Sequence, residues 1–304
     1  MQHLANLRFI KALNLLTLVL LTGSWTLAQT KTLPKPDRAN VKYGIHERNI
    51  LDIWFADTTK ITPLAIYIHG GGFQEGSKED LSPIVLQELL KSGISVASIN
   101  YRLLSDAPLP APFYDALRAL QFIRSRAEIW KFDKVKIAAF GRSAGAHISM
   151  WLAFSDEMAD TDAADPVEQE SSRLYCVAST RGQTTFNFDL WVKWIPGLQK
   201  MPYTKEQIYG KMTDEEYSKT IEGISPISII SSDDPPIFMS YPMKPDDPIP
   251  SNPEVVRSWQ YHHVIFGIKL KEKMDDLGVE ADLNYPNANS KYKSNLDFLK
   301  SKLH

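Results

Sequence analysis

The stretch Val135-Lys136-Ile137-Ala138-Ala139-Phe140-Gly141-Arg142-Ser143-Ala144-Gly145 decides how this 304-residue chain is read. Val135 to Phe140 is a short, mostly apolar run expected to form a buried strand, and Ala144 to Phe154 is expected to form a helix. A serine between the two, at Gly-x-Ser-x-Gly spacing, has the chemistry of a sharp strand-to-helix turn that pushes its hydroxyl outward. Its backbone must take a strained positive φ, and Gly141 and Gly145 stand where strand and helix nearly touch. A second apolar run, Leu64 to Ile68, leads into His69-Gly70-Gly71-Gly72-Phe73. The glycines free this loop to aim backbone N–H groups at one point. With the Ala144 N–H, the loop Gly70, Gly71 and Gly72 supplies an oxyanion hole for acyl transfer. Side chains at these three glycines are expected to block that approach, and His69 is expected to brace the turn.

Taken together, and in this order after strands, the two motifs resemble those of the α/β-hydrolase superfamily. The resemblance is to its hormone-sensitive-lipase-like and small secreted carboxylesterase branch, which includes acetylxylan- and feruloyl-esterase-like proteins. Further landmarks are Tyr43-Gly44 with Leu51-Asp52, Asn100-Tyr101-Arg102-Leu103, Asp115-Ala116, the elbow continuing to Ala146-His147, Ser225-Pro226-Ile227 and Asp234-Pro235-Pro236. The fold implied is α/β, a mostly parallel central sheet with helices on both faces and a small lid insertion. Strand-like runs alternating with helical stretches along the chain agree with that class.

Residues 1–28 are set apart as a signal peptide: Arg8 and Lys11 precede the apolar stretch Ala12 to Leu21, and Thr26-Leu27-Ala28 suits cleavage after Ala28. The expected location is therefore secreted or periplasmic, with no stable membrane span once the leader is removed. Residues 29–304 suit a single domain with a large core. The net charge of −2 and the lack of a basic cluster argue against nucleic acid as a partner. Cys176 is the only cysteine and lies in an apolar run, where it reads as a core residue. No cofactor and no metal is expected, because neither a nucleotide-binding glycine fingerprint nor a metal-ligand spacing is present. Ser155 to Glu170 is an acidic loop expected to be solvated.

Residues 186–223 interrupt the alternation and carry Trp191, Trp194, Pro196, Tyr203 and Tyr209. They fall where the superfamily inserts its lid. Phe73, Trp191 and Trp194 are the side chains expected to meet the substrate. Beyond this segment, Ile237 to Tyr241 is expected as a strand, Pro242 to Pro253 as a Pro-rich loop, and His263 to Leu277 as a helix stopped by Gly278. Val279 to Tyr285 is expected as the last strand and Lys293 to Leu303 as a closing helix.

A serine is a poor nucleophile until a neutral imidazole takes its proton, usually with a carboxylate to hold the ring. The resemblance implies the chain order Ser, acid, His. The acid is expected in the loop after Ile237–Tyr241. Asp246, four residues before Pro250, is preferred there over Asp247. The base is expected after the last strand, but Tyr285-Pro286-Asn287-Ala288-Asn289-Ser290-Lys291 contains no histidine. The remaining candidates are His262 and His263, at the end of the acid-bearing loop on the sheet edge that carries Ser143. His263, three and seven residues before Phe266 and Leu270, shares their inward helix face. A triad is defined by geometry and not by chain order, so either can supply the imidazole. Two functions follow. One is an exported serine ester hydrolase acting on a small-molecule or oligosaccharide ester, with carbohydrate and aromatic esters favoured. The other is a silenced relative that keeps the fold as a ligand-binding module.

Overall fold

Alternating residues of the central strands face opposite ways, and both faces are apolar, so the sheet has to be covered on both sides. The computed structural model describes residues 32–200 and 203–304; the expected leader, residues 1–28, lies outside the described residues. In chain order the elements are β1 (Arg38–Lys42), β2 (Ile50–Trp54), β3 (Thr62–Ile68), α1 (Pro83–Lys91), β4 (Ser95–Ile99), α2 (Ala111–Ser125), α3 (Ala127–Trp130), β5 (Phe132–Arg142), α4 (Ala144–Phe154) and β6 (Cys176–Thr180). Then follow α5 (Phe188–Trp194), α6 (Lys205–Tyr209), α7 (Asp214–Gly223), α8 (Pro226–Ile229), β7 (Ile237–Ser240), α9 (Pro253–Tyr261), α10 (Ile265–Leu277), β8 (Ala281–Asn284) and α11 (Asn295–Leu303).

The strands form one sheet in the order β1-β2-β4-β3-β5-β6-β7-β8. Only β1–β2 and β2–β4 pair antiparallel; every other pair is parallel. Leu64, Ile66, Ile68, Ile137, Ala139, Val177 and Met239 face one core, which takes in α2, α4 and α10. Ala65, Ala138, Phe140, Cys176, Ala178 and Phe238 face the other, closed by α1 and by Phe298, Leu299 and Leu303 of α11. Burial pushes the Cys176 thiol up to about 12, consistent with its packing role.

The ends of the parallel strands lie together at one edge. There Arg102 forms a bidentate pair with the buried Asp115, at 2.7 and 2.8 Å. This ties the segment after β4 to the start of α2 with charge-assisted bonds. Residues 186–223 form α5, α6 and α7. Thr204 and Thr213 start the last two with reciprocal capping boxes to Gln207 and Glu216.

One expectation changes here. The helix expected over His263–Leu277 is preceded by a separate helix, α9, where only the end of a loop was expected. Asn252 caps it by accepting from the Glu254 N–H at 2.9 Å, Pro253 sits at its first position, and Glu254 lies in its first turn.

The backbones also approach closely at Gly145, where an added Cβ would stand 2.0 Å from the Ile68 carbonyl oxygen. Gly145→Ala is therefore expected to destabilise the fold by about 3 kcal/mol, read from the chemical denaturation midpoint. Gly223→Ala, where a Cβ meets nothing within 4 Å, is the matched control and should leave the midpoint in place or raise it slightly.

Candidate active site

Ser143 stands between β5 and α4 with φ 53° and ψ −119°, the strained turn its flanking glycines were expected to permit. Its N–H donates to the Thr180 carbonyl at 2.9 Å, and its carbonyl accepts from the His147 N–H. The turn is thereby held between the ends of two strands and the first turn of a helix. The side chain is half-buried and opens into a cleft of about 1430 Å³. Gly70, Gly71, Gly72, Phe73 and Ala144 line the same cleft.

Gly71 has φ +101°, and a Cβ there would lie 2.0 Å from the Glu75 carbonyl oxygen, so the loop demands glycine at this position. Gly70 would meet the Arg142 carbonyl oxygen at 2.8 Å. At Gly72 a Cβ meets no protein atom within 4 Å, so there the φ of +60° is what calls for glycine. The N–H groups of Gly71 and Gly72 donate to no protein acceptor among the described residues. Ala144, at the first position of α4, has an N–H with no intrahelical partner.

His69 holds this loop from beneath. Its ring stacks on Tyr101 with centroids 4.1 Å apart, and its Nδ1–H donates to the Gly70 carbonyl at 2.8 Å. Burial pushes its pKa down to about 4, so the ring is neutral and its Nε2 faces the Arg48 guanidinium. His147 is likewise buried and neutral, its pKa pushed by burial down to about 4, with its Nε2–H donating to the Ile224 carbonyl at 2.6 Å.

Of the two candidate bases, the structure brings only His262 to the serine: the Ser143 hydroxyl donates to His262 Nε2 at 2.9 Å. α9 ends at Tyr261, and His262 caps it. The His262 Nδ1–H donates to the Ser258 carbonyl at 2.8 Å, one turn back on the same helix, which fixes the tautomer that leaves Nε2 free to accept. Burial is the main reason its pKa lies below the ordinary imidazole range; the Ser258 carbonyl opposes that shift, and Arg181 and Arg142 add to it.

His263, one residue on, points elsewhere. It is 2% exposed, packs edge-on against Trp259 at 4.6 Å, and accepts the Ile265 N–H on Nδ1. The shared inward face with Phe266 and Leu270 is real, but it leads into the core and away from Ser143.

The expected acid is not beside the base. The Pro-rich segment folds back on itself, the Asp247 carboxylate accepting the Lys244 N–H at 2.8 Å, which leaves Asp246 exposed at the tip. Neither carboxylate hydrogen-bonds His262. Asp247 does line a smaller cavity of about 430 Å³ behind the ring, with Arg181, Ser258 and His262. The region expected to hold the base is a structural turn. Asp282 accepts from the Ser290 hydroxyl at 2.7 Å and from the N–H groups of Lys291 and Tyr292.

Trp191 lines the cleft, its Nε1–H donating to the Thr185 carbonyl at 2.8 Å. Trp194 is not among the lining residues; it is half-buried and packs against the core. Ser258, whose carbonyl holds the imidazole, was missed by sequence reasoning. The signal for it was Asn252-Pro253-Glu254, a helix start that places residues 258 and 262 one turn apart.

A strained serine at the strand-to-helix elbow of a mostly parallel sheet, facing a glycine loop, defines an α/β-hydrolase. The BD-FAE family profile matches residues 51–252, and the chain belongs to that family. Among curated proteins, it is 32% identical over 175 residues to non-reducing polyketide synthase mapC' of Penicillium brevicompactum, a match covering 50% of this chain and 8% of that one. It is 24% identical over 204 residues to esterase LipC of Mycobacterium tuberculosis, covering 66% of this chain and 49% of that one. The chain thus spans half or less of the length of these relatives. Among solved structures, a truncated carbohydrate esterase from gut microbiota superposes with a TM-score of 0.65 at 22% identity, over 84% of this chain and 88% of that one. That likeness is one of fold.

The neutral imidazole is the form that can take the Ser143 proton, and its pKa is depressed. Capture of Ser143 by a fluorophosphonate should therefore persist to lower pH than an ordinary imidazole allows, and fall as pH drops through the depressed pKa. Arg181→Gln removes a cation facing the ring and should move that limb to higher pH, read from labelling rates across the pH range.

Proposed function

We propose that the chain is an exported serine ester hydrolase in which Ser143 is the nucleophile and His262 the base. The observation that carries this reading is the 2.9 Å contact between Ser143 Oγ and His262 Nε2. Ser143 Oγ attacks the ester carbonyl carbon while His262 Nε2 takes its proton. The negative oxygen that forms is held by the N–H groups of Gly71, Gly72 and Ala144, with Gly70 placing the loop. Collapse breaks the ester bond, and the alcohol leaves with the proton from His262. Water then repeats the sequence on the acyl-enzyme, releasing the acid and freeing Ser143. The Ser258 carbonyl does the orienting that a carboxylate does in the usual triad, without its charge.

Phe73, Phe186, Phe188, Trp191 and Tyr261 form an aromatic wall beside Ser143, suited to an apolar or aromatic acyl group or to the face of a sugar. The cleft is larger than the roughly 300–1,000 Å³ usual for small-ligand pockets, which favours an acylated oligosaccharide over a short free ester. The solved relative described as a carbohydrate esterase supports the same choice, and the leader-like first 28 residues support export. Residues 186–223 act as the roof over this cleft.

His262→Ala is expected to lower kcat on an activated acetate ester about 10³-fold. Asp246→Ala should leave kcat within about twofold, because the exposed carboxylate cannot orient the ring. Steady-state kinetics on the purified variants read both. A folded wild-type protein whose Ser143 takes no fluorophosphonate would instead identify a silenced binding module.

A further inference from the structure

The His262 imidazole works in an unusual electrostatic setting. Arg142 is the last residue of β5 and directly precedes Ser143. It lies in register with Thr180, and the next residue along, Arg181, is anchored by its N–H to the Ser240 carbonyl at 2.8 Å. The two arginines therefore stand on adjacent strand ends flanking the nucleophile. Arg142 lines the main cleft, together with Arg257 and Lys293. Arg181 lines the smaller cavity on the other side of His262.

Among the described residues, none of Arg142, Arg181, Arg257 and Lys293 has a carboxylate within salt-bridge distance, whereas Arg102, Arg118 and Arg173 all do. The carboxylates lining these cavities are engaged or solvated: Asp80 accepts the Ser77 N–H, Asp247 accepts the Lys244 N–H, and Glu75 is exposed. Guanidinium is the group that reads a carboxylate best, because its donors match the two oxygens. Catalysis adds a second argument. When His262 takes the serine proton it becomes a cation between two cations, with only the neutral Ser258 carbonyl on Nδ1. With a neutral substrate the only negative charge that forms nearby is the oxyanion, which the backbone N–H groups already hold.

Resting on the reading of Ser143 and His262 as nucleophile and base, we propose that the preferred ester carries a carboxylate. That group is placed in the main cleft at Arg142, with Arg181 acting on it from the other side of His262. The substrate then supplies the negative charge that the chain does not place next to its base. A carboxylate on the acyl part, as in a dicarboxylic half-ester, and one on the alcohol part, as in an acylated uronate, share this chemistry.

The test compares kcat/KM for matched pairs, each corrected for uncatalysed hydrolysis. Mono-4-nitrophenyl succinate against 4-nitrophenyl butyrate probes the acyl side, and 3-carboxyphenyl acetate against phenyl acetate probes the alcohol side. The anionic member of at least one pair should be favoured about tenfold, the size of a charge-assisted hydrogen bond. Arg142→Gln or Arg181→Gln should lower the rate on the anionic ester and raise it on the neutral one. Opposite signs separate charge recognition from structural damage, which lowers both. Equal rates within both pairs, or variants that lose both members in parallel, overturn the proposal.

A binding arm separates this inference from the esterase reading. Ser143→Ala protein is titrated with glucuronate and with glutarate, each against its methyl ester. Tighter binding of the free carboxylate, lost in the Arg→Gln backgrounds, supports the subsite even if Ser143 proves unreactive. Equal binding of acid and methyl ester sinks the subsite even if ester hydrolysis is confirmed.

Discussion

The packing of α4 onto the ends of β3 and β5 is the constraint on which the site rests. Gly145 lies so close to the Ile68 carbonyl that no side chain fits, and Gly141 meets the Gly145 backbone in the same way. With helix and strand in contact, the connecting residue has one way through, and Ser143 takes it at positive φ. The strain is held by hydrogen bonds at both ends of the turn, from Ser143 to Thr180 and from His147 to Ser143. Ala144 then begins the helix with a free N–H, and the glycine loop after β3 arrives alongside because Ile68 and Gly141 are register partners. The outward hydroxyl and the free N–H groups that face it are thus consequences of one close approach.

His262 reaches the serine by a different route. In the chain order usual for this fold, the imidazole descends from the turn after the last strand. Here it stands at the end of α9, and the geometry at the serine is nonetheless a hydrogen bond of ordinary length. What changes is the group behind the ring. A backbone carbonyl fixes orientation and tautomer as a carboxylate does, but it lends no full charge to the imidazolium. Burial first, and then two guanidiniums, act against that cation, so the ring is readily neutral and costly to protonate.

Much of this was legible in the sequence, for identifiable reasons. The strands β3 and β5, the helix α4 and the elbow between them follow from local chemistry, glycine and small residues placed where backbones collide. Cys176 in the core and His69 beneath the glycine loop were read from the apolar runs around them. The site failed to be legible where the answer depended on direction. His262 and His263 are adjacent, and a step of one residue past a helix end separates a ring at the nucleophile from a ring in the core. That distinction required the helix α9, whose Asn-Pro-Glu start was present but lay inside a segment dominated by prolines. Asp246 was chosen on spacing alone, and the turn closed by Asp247 carries it out into solvent. Trp194 shows the same limit: it lies one turn from Trp191 on α5, yet only Trp191 reaches the cleft.

The turn after β8 brings no histidine to Ser143 and is built as structure. Asp282 gathers the Ser290 hydroxyl and two successive N–H groups, closing the segment as a clasp at the sheet's end and leading into α11. The demand for exact placement that such a corner ordinarily meets falls instead on the span from Asn252 to His262, where one residue separates a ring at Ser143 from a ring in the core.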